Sequence, residues 1–154
     1  MRKLLVLGFM LGLLSTAGTV LAADYKAHLN GAEEVPPRDT HARGNALFDL
    51  STDGTTLSYK LIVANIVNVT AAHIHLAAEG VNGPVVALLF QAGAPDGRSD
   101  GILAQGTITA ADLAGPLAGQ PLSTLIAAIE AGDTYVNVHT VTNPGGEIRG
   151  QIRD

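Results

Sequence analysis

Cysteine is absent from the 154 residues. That excludes disulfides, thiolate metal ligands, thiol nucleophiles and thiol redox pairs. Stability must come from a packed core, and any metal must be held by nitrogen and oxygen. Positive charge is scarce too, with 9 Lys+Arg against 14 Asp+Glu. Arg2 and Lys3 fall in the N-terminal leader described below, so the remainder carries seven basic residues against 14 acidic ones, formally −7. Such a surface repels phosphate backbones and excludes nucleic acid as a partner. Without a basic cluster or basic amphipathic helix, an anionic membrane surface is also a poor partner. Hydrolase and nucleotide signatures are missing: there is no Gly-x-Ser-x-Gly elbow, P-loop, His-Glu-x-x-His or dinucleotide fingerprint. Asp53-Gly54 and Asp96-Gly97 have the spacing of turns, not of a calcium loop.

The N terminus has the three-part layout of an export signal. Arg2 and Lys3 precede an apolar stretch from Leu4 to about Leu14, and Val20-Leu21-Ala22 offers small side chains where a signal peptidase reads. A membrane anchor would need about 20 clean apolar residues, whereas Ser15, Thr16, Gly18 and Thr19 interrupt this run. The sequence therefore predicts a cleavable signal over residues 1–22 and one domain over 23–154. The protein is expected in the periplasm or outside the cell, with no membrane contact once the signal is removed. With 47% apolar and only 15% charged residues, the domain has the material for a core.

Period-two patterning with frequent turn residues predicts an antiparallel β domain. Strands are expected at Tyr25 to Asn30, Gly44 to Leu50, Thr56 to Ile66, Ala72 to Leu76, Val85 to Phe90, Ile102 to Ile108, Thr134 to Thr140 and Glu147 to Ile152. Asp53-Gly54 is a hairpin signal, Gly93 to Gly101 reads as a surface loop, and Thr109 to Asp112 has capping-box spacing. One short helix is expected from Ser123 to Ala131, capped by Ser123, with Leu125, Ile126 and Ile129 facing inward and Gly132 ending it. Eight short strands and one helix, with no repeats or linker, predict a single-domain, mostly β fold: an antiparallel Greek-key β-sandwich.

The sharpest local feature is His73-Ile74-His75. Residues two apart on a strand share a face, so both imidazoles project together, spaced for one metal ion. In Tyr135 to Thr140, Val136 and Val138 share one face, while Tyr135, Asn137 and His139 share the other. If these two strands are neighbours, three neutral nitrogen ligands converge, a set that suits copper or zinc. The same three histidines would equally serve as a buried polar network bonded to Asn137, Thr140 or backbone.

Several stretches are family-specific. They are Asn30-Gly31-Ala32-Glu33-Glu34-Val35-Pro36-Pro37, then Ala72-His73-Ile74-His75, Asn82-Gly83-Pro84-Val85-Val86 and Gly106 to Leu113. They end with Tyr135 to Thr140 and Asn143-Pro144-Gly145-Gly146-Glu147-Ile148-Arg149-Gly150-Gln151. In this order they resemble the CHRD domain, the module named after its repeats in chordin and found in bacteria as a single exported domain. The likeness spans nearly all of residues 23–154, and the family is mostly described without an assigned reaction. The histidine motifs are also similar, more distantly, to those of copper–zinc superoxide dismutases. That likeness implies a superoxide-dismutase-like sandwich, copper ligands at His73, His75 and His139, and Arg149 in the place of an arginine that draws superoxide to the metal. Val85 stands where those enzymes have a bridging histidine after Gly-Pro, and zinc-site histidines are missing. A site here would be mononuclear, with copper ahead of zinc.

Other residues carry two readings each. Tyr135 and Asn137 would orient His139, or Tyr135 would simply pack at a strand end. Glu33 and Glu34 would add a carboxylate ligand, or form a rigid Pro-flanked edge that blocks aggregation. His41 is a further ligand or, beside Arg43, a solvated loop residue. Glu147 and Arg149 share a face and would pair as ions, or Arg149 would steer a substrate. Three functional expectations follow. The first is a copper-binding domain. The second is a non-catalytic module that engages a protein or polysaccharide through the loops Asn30 to Thr40, Glu79 to Gly83 and Gly93 to Gly101. The third is a redox enzyme of superoxide-dismutase type.

Overall fold

A computed structural model describes residues 24–94 and 97–154. The leader, and Asp96 of the Asp96-Gly97 turn, lie outside the described residues. Eight strands form: β1 (Tyr25–Asn30), β2 (Arg43–Leu50), β3 (Leu57–Val67), β4 (Val69–Leu76), β5 (Val85–Gln91), β6 (Arg98–Ile108), β7 (Thr134–Thr140) and β8 (Ile148–Gln151). The helix α1 (Leu122–Glu130) precedes β7. All pairings are antiparallel, in the order β5-β4-β7-β8-β1-β2-β3-β6. The non-consecutive neighbours β4/β7, β8/β1 and β3/β6 make the Greek-key crossings. The fold is thus the expected sandwich, with its layers joined through β8 and β1 into one sheet that curls around the core.

Alternation decides which face is inside. In β3, Leu57, Leu61 and Val63 are buried while Ser58 and Lys60 are exposed. In β4 and β7, Ile74, Val136 and Val138 are fully buried and meet Phe48, Leu61, Leu125 and Ile148 in one core. α1 adds Leu122, Leu125, Ile126 and Ile129, the i, i+3, i+4, i+7 stripe of a helix lying on a core. The free edge of β5 is partly covered: Ala114 donates its backbone N–H to the Val86 carbonyl at 2.8 Å, and Ala87 bridges Leu113. This is one way to blunt a strand edge.

Local turn chemistry follows the sequence. The Asp53 carboxylate accepts from Ser51 Oγ, Thr55 Oγ1 and the Thr55 backbone, with Gly54 at φ 69°. These hydrogen bonds hold its pKa down to about 2. Asp112 accepts from both the backbone and the hydroxyl of Thr109, at 2.8 Å each, so the capping-box signal folds as a 3-10 turn over Ala110–Asp112.

Two expectations are corrected. Ser123 does not cap α1: Pro121, at φ −66° and ψ 153°, occupies the cap position without a side-chain bond, and Ser123 lies in the first turn, exposed. Proline is preset for a helix entry, which moves the start back. The loop expected through Gly101 ends earlier, because β6 already begins at Arg98. There Asn65, at φ 57°, creates an irregularity in β3, and Asp100 accepts its backbone N–H at 2.8 Å while Arg98 pairs with Asp100 at 2.6 Å. Polar, glycine-containing sequence is tolerated in such an edge strand.

Candidate metal centre

The β4/β7 ladder brings the three histidines together. It pairs His73 with Asn137, His75 with Tyr135 and Ala71 with His139, so His139 lies diagonally across from His73 on the outer face. Ring centroids stand 5.0 Å apart for His73–His139, 5.7 Å for His73–His75 and 5.9 Å for His75–His139. One ligand nitrogen from each ring lies within 4.8 Å of the other two.

Two of the rings are oriented from behind. His75 Nδ1 bonds the Gly83 carbonyl at 2.9 Å, and His139 Nδ1 bonds the Pro144 carbonyl at 3.0 Å. A carbonyl only accepts, so each Nδ1 carries the proton and each Nε2 keeps its lone pair. Those Nε2 atoms and His73 Nδ1 are buried, and none has a hydrogen-bond partner. Burial is the main force lowering all three pKa values, to about 4 for His73, where His139 and His75 add charge repulsion. The rings are therefore neutral at pH 7, the state a metal ligand needs.

Behind the trio lies a tightly connected layer. Tyr135 stacks on His75 with centroids 4.8 Å apart and planes 8° from parallel, and its hydroxyl accepts the Gly83 N–H at 3.1 Å. The Arg149 guanidinium sits 3.9 Å over the Tyr135 ring and is only 4% exposed. Its donors go to the Val81 carbonyl at 3.2 Å and to the Asn82 side chain, while Nε faces Glu34 Oε2 at 3.4 Å. That last contact is an ion pair without hydrogen-bond alignment, since Nε has no aligned acceptor. Buried Glu34 also accepts from Asn137 Nδ2, which donates in addition to the Ile148 carbonyl at 3.2 Å. Burial raises the Glu34 pKa, with Arg149 and Asn137 opposing it. Gly146 is required where this layer meets the 141–147 turn: at φ 125°, a Cβ there would lie 2.6 Å from Glu34 Oε1 and 2.5 Å from Asn137 Nδ2.

The remaining expected residues are elsewhere. Glu33 and His41 are exposed and outside the cluster, and Glu34 lies in the layer behind it. The Glu147–Arg149 pair does not form. Glu147 instead accepts from Thr140 Oγ1 at 2.7 Å, Thr40 Oγ1 at 2.8 Å and Asn143 Nδ2 at 3.2 Å, holding the turn that carries Pro144. Arg149 takes its anion from the loop after β1, because β8 pairs with β1 at Asn30↔Arg149 and draws that loop over it. Sequence reasoning also missed the carbonyls of Gly83 and Pro144 that orient the rings. Their signal lay in two glycine–proline turns, one after β4 and one after β7.

An antiparallel Greek-key domain with three clustered histidines on one outer face is the class that this geometry defines. The chain belongs to the CHRD domain family, whose model matches residues 25–152. Searches of curated proteins and of solved structures returned no match.

Proposed function

We propose that this protein is an exported metal-binding CHRD domain in which His73, His75 and His139 hold one copper ion. One observation carries the reading: each of three rings brings a ligand nitrogen within 4.8 Å of the other two, each has a buried ring nitrogen without a partner, and two have the opposite nitrogen tied to a backbone carbonyl. A hydrogen-bonded network would use those nitrogens, and leaving each one buried and unpaired costs about 1–3 kcal/mol. A metal ion satisfies all three at once. Imidazole suits copper and zinc, and copper stands ahead in intrinsic affinity. Export rests on the leader of residues 1–22, and among the described residues no helix is long and apolar enough to cross a membrane. The burial of Arg149 and the commitment of its donors to Val81, Asn82 and Glu34 favour binding over dismutation, because the cation is not free to meet an anion from solution.

The test is titration of chelator-treated protein with copper and zinc salts, reading bound equivalents and melting temperature. One tight equivalent with a raised melting temperature, lost in His73→Ala and His139→Ala, supports the site. Binding equal to that of the variants overturns it.

A second reading, a non-catalytic module for a protein or polysaccharide partner, draws on the exposed Val35 and Val81 beside the site, 36% and 53% exposed. Saturable partner binding by metal-free protein, lost on changing both valines to serine, would favour it. Absence of such binding to cell-envelope proteins and glycans would remove it.

A further inference from the structure

We propose that the centre selects copper(I) over copper(II) and zinc(II), an inference that rests on the three-histidine reading. Three observations lead to it. The donor set is three neutral imidazoles, and among the described residues no carboxylate joins the cluster. The nitrogens that the Gly83 and Pro144 carbonyls leave free, His75 Nε2 and His139 Nε2, are buried, and so is His73 Nδ1. The nearest fixed charge layer contains a cation, Arg149, one aromatic ring behind His75. Its partner Glu34 is held by Arg149 and Asn137 and does not face the histidines as a ligand.

Each observation weighs more heavily against a divalent ion. The cost of moving an ion out of water scales with the square of its charge, so a dication pays about four times as much as a monocation of the same size, with no ligand anion to offset it. A unit positive charge opposes a divalent ion with twice the Coulomb energy with which it opposes a monovalent one, so its fold-penalty on affinity is squared for the dication. The Glu34 carboxylate offsets part of this. Coordination acts in the same direction. Zinc(II) completes a tetrahedron and copper(II) a tetragonal plane, each calling for at least a fourth ligand. Copper(I), with a filled d shell, is satisfied by three. The shielding of His75 Nε2 and His139 Nε2 from solvent works against the water that would supply the fourth.

The experiment is chelator competition on the signal-free protein, measured separately for copper(I) under reducing, oxygen-free conditions, for copper(II) and for zinc(II). Arg149→Met and Glu34→Gln are measured alongside. The expected result is a copper(I) dissociation constant at least about a hundredfold below those of both divalent ions. Removing the cation should lower the copper(I)-to-copper(II) preference by about tenfold, and removing the anion should raise it. A purely structural role for the pair would weaken all three metals alike in both variants. Divalent affinities equal to or tighter than that for copper(I) overturn the inference and leave the three-histidine site standing. So does a preference that moves in the same direction, or not at all, in the two variants. Failure to bind any of the three ions overturns the site and the inference together. The wild-type comparison decides the question even if a variant fails to fold.

Discussion

The imidazole of His75 lies face to face with the phenol of Tyr135, 4.8 Å between centroids and 8° from parallel, while both reach the same residue, Gly83, one through its carbonyl and the other through its N–H. The stack and the two hydrogen bonds fix the ring plane and the tautomer together. Tyr135→Phe keeps the stack but strands the Gly83 N–H, so it should cost about 1 kcal/mol in urea unfolding and reduce metal affinity about tenfold. Tyr135→Ala also removes a buried aromatic and should cost about 3–5 kcal/mol. Equal effects of the two changes would show that the hydroxyl, not the ring, organises His75.

The unpaired nitrogens predict an inverted mutational response. His73→Phe fills a similar volume and deletes a buried, unsatisfied Nδ1. Metal-free protein should therefore gain about 1 kcal/mol while losing the stabilisation that added copper confers. Calorimetry with and without metal checks both halves. A loss of stability in the metal-free variant would mean that the ring makes polar contacts worth keeping.

Acid should act first on the same cluster. Burial lowers the folded-state pKa of all three histidines, that of His73 from 6.5 to about 4. Between these limits the unfolded chain binds protons that the folded chain refuses, so this contribution to stability is complete above pH 6.5 and fades as pH falls toward 4. Urea midpoints of metal-free protein at pH 7.5 and 5 should differ in that direction, and replacing all three histidines by glutamine should flatten the difference. Protons also compete with metal, so affinity should decline through the same window.

Gly146 offers a test of the layer behind the ligands. Gly146→Ala places a methyl group against Glu34 and Asn137 at a backbone angle that alanine resists. A loss of about 2–4 kcal/mol is expected, with displacement of the Pro144 carbonyl and weaker metal binding as its signature. Gly54→Ala, also at positive φ but open to solvent, should cost only about 1 kcal/mol and leave metal binding intact.

The readable parts of this protein are those governed by local periodicity. β1 and β7 have the limits that alternation predicts, and His-x-His together with the polar face of Tyr135, Asn137 and His139 marks the cluster, because a strand has only two faces. Contacts set by long-range register were not readable. Glu147 and Arg149 share a face two residues apart, yet each carboxylate and guanidinium is claimed from elsewhere: Glu147 by Thr40 and Thr140, Arg149 by Glu34. Which of Glu33 and Glu34 turns inward depends on the short 3-10 turn Gly31–Glu33, and its sequence does not reveal that choice. The start of β6 was obscured because a bulged edge strand follows its neighbour's irregularity more than its own alternation.

The pairing of β8 with β1 also sets an order of events. The first strand of the domain lies between β2 and the last, with Asn30 opposite Arg149 and Lys26 exchanging backbone hydrogen bonds with Arg153. As the chain is synthesised the β2–β3 hairpin can form early, but the sheet cannot close until the final residues are available. His139 and Arg149 arrive in that last stretch, so the three rings meet only as the sheet closes. Until then His73 and His75 share a strand, but nothing holds His139 beside them. The C-terminal strands thus act as a latch that completes the sheet and the histidine cluster in one step.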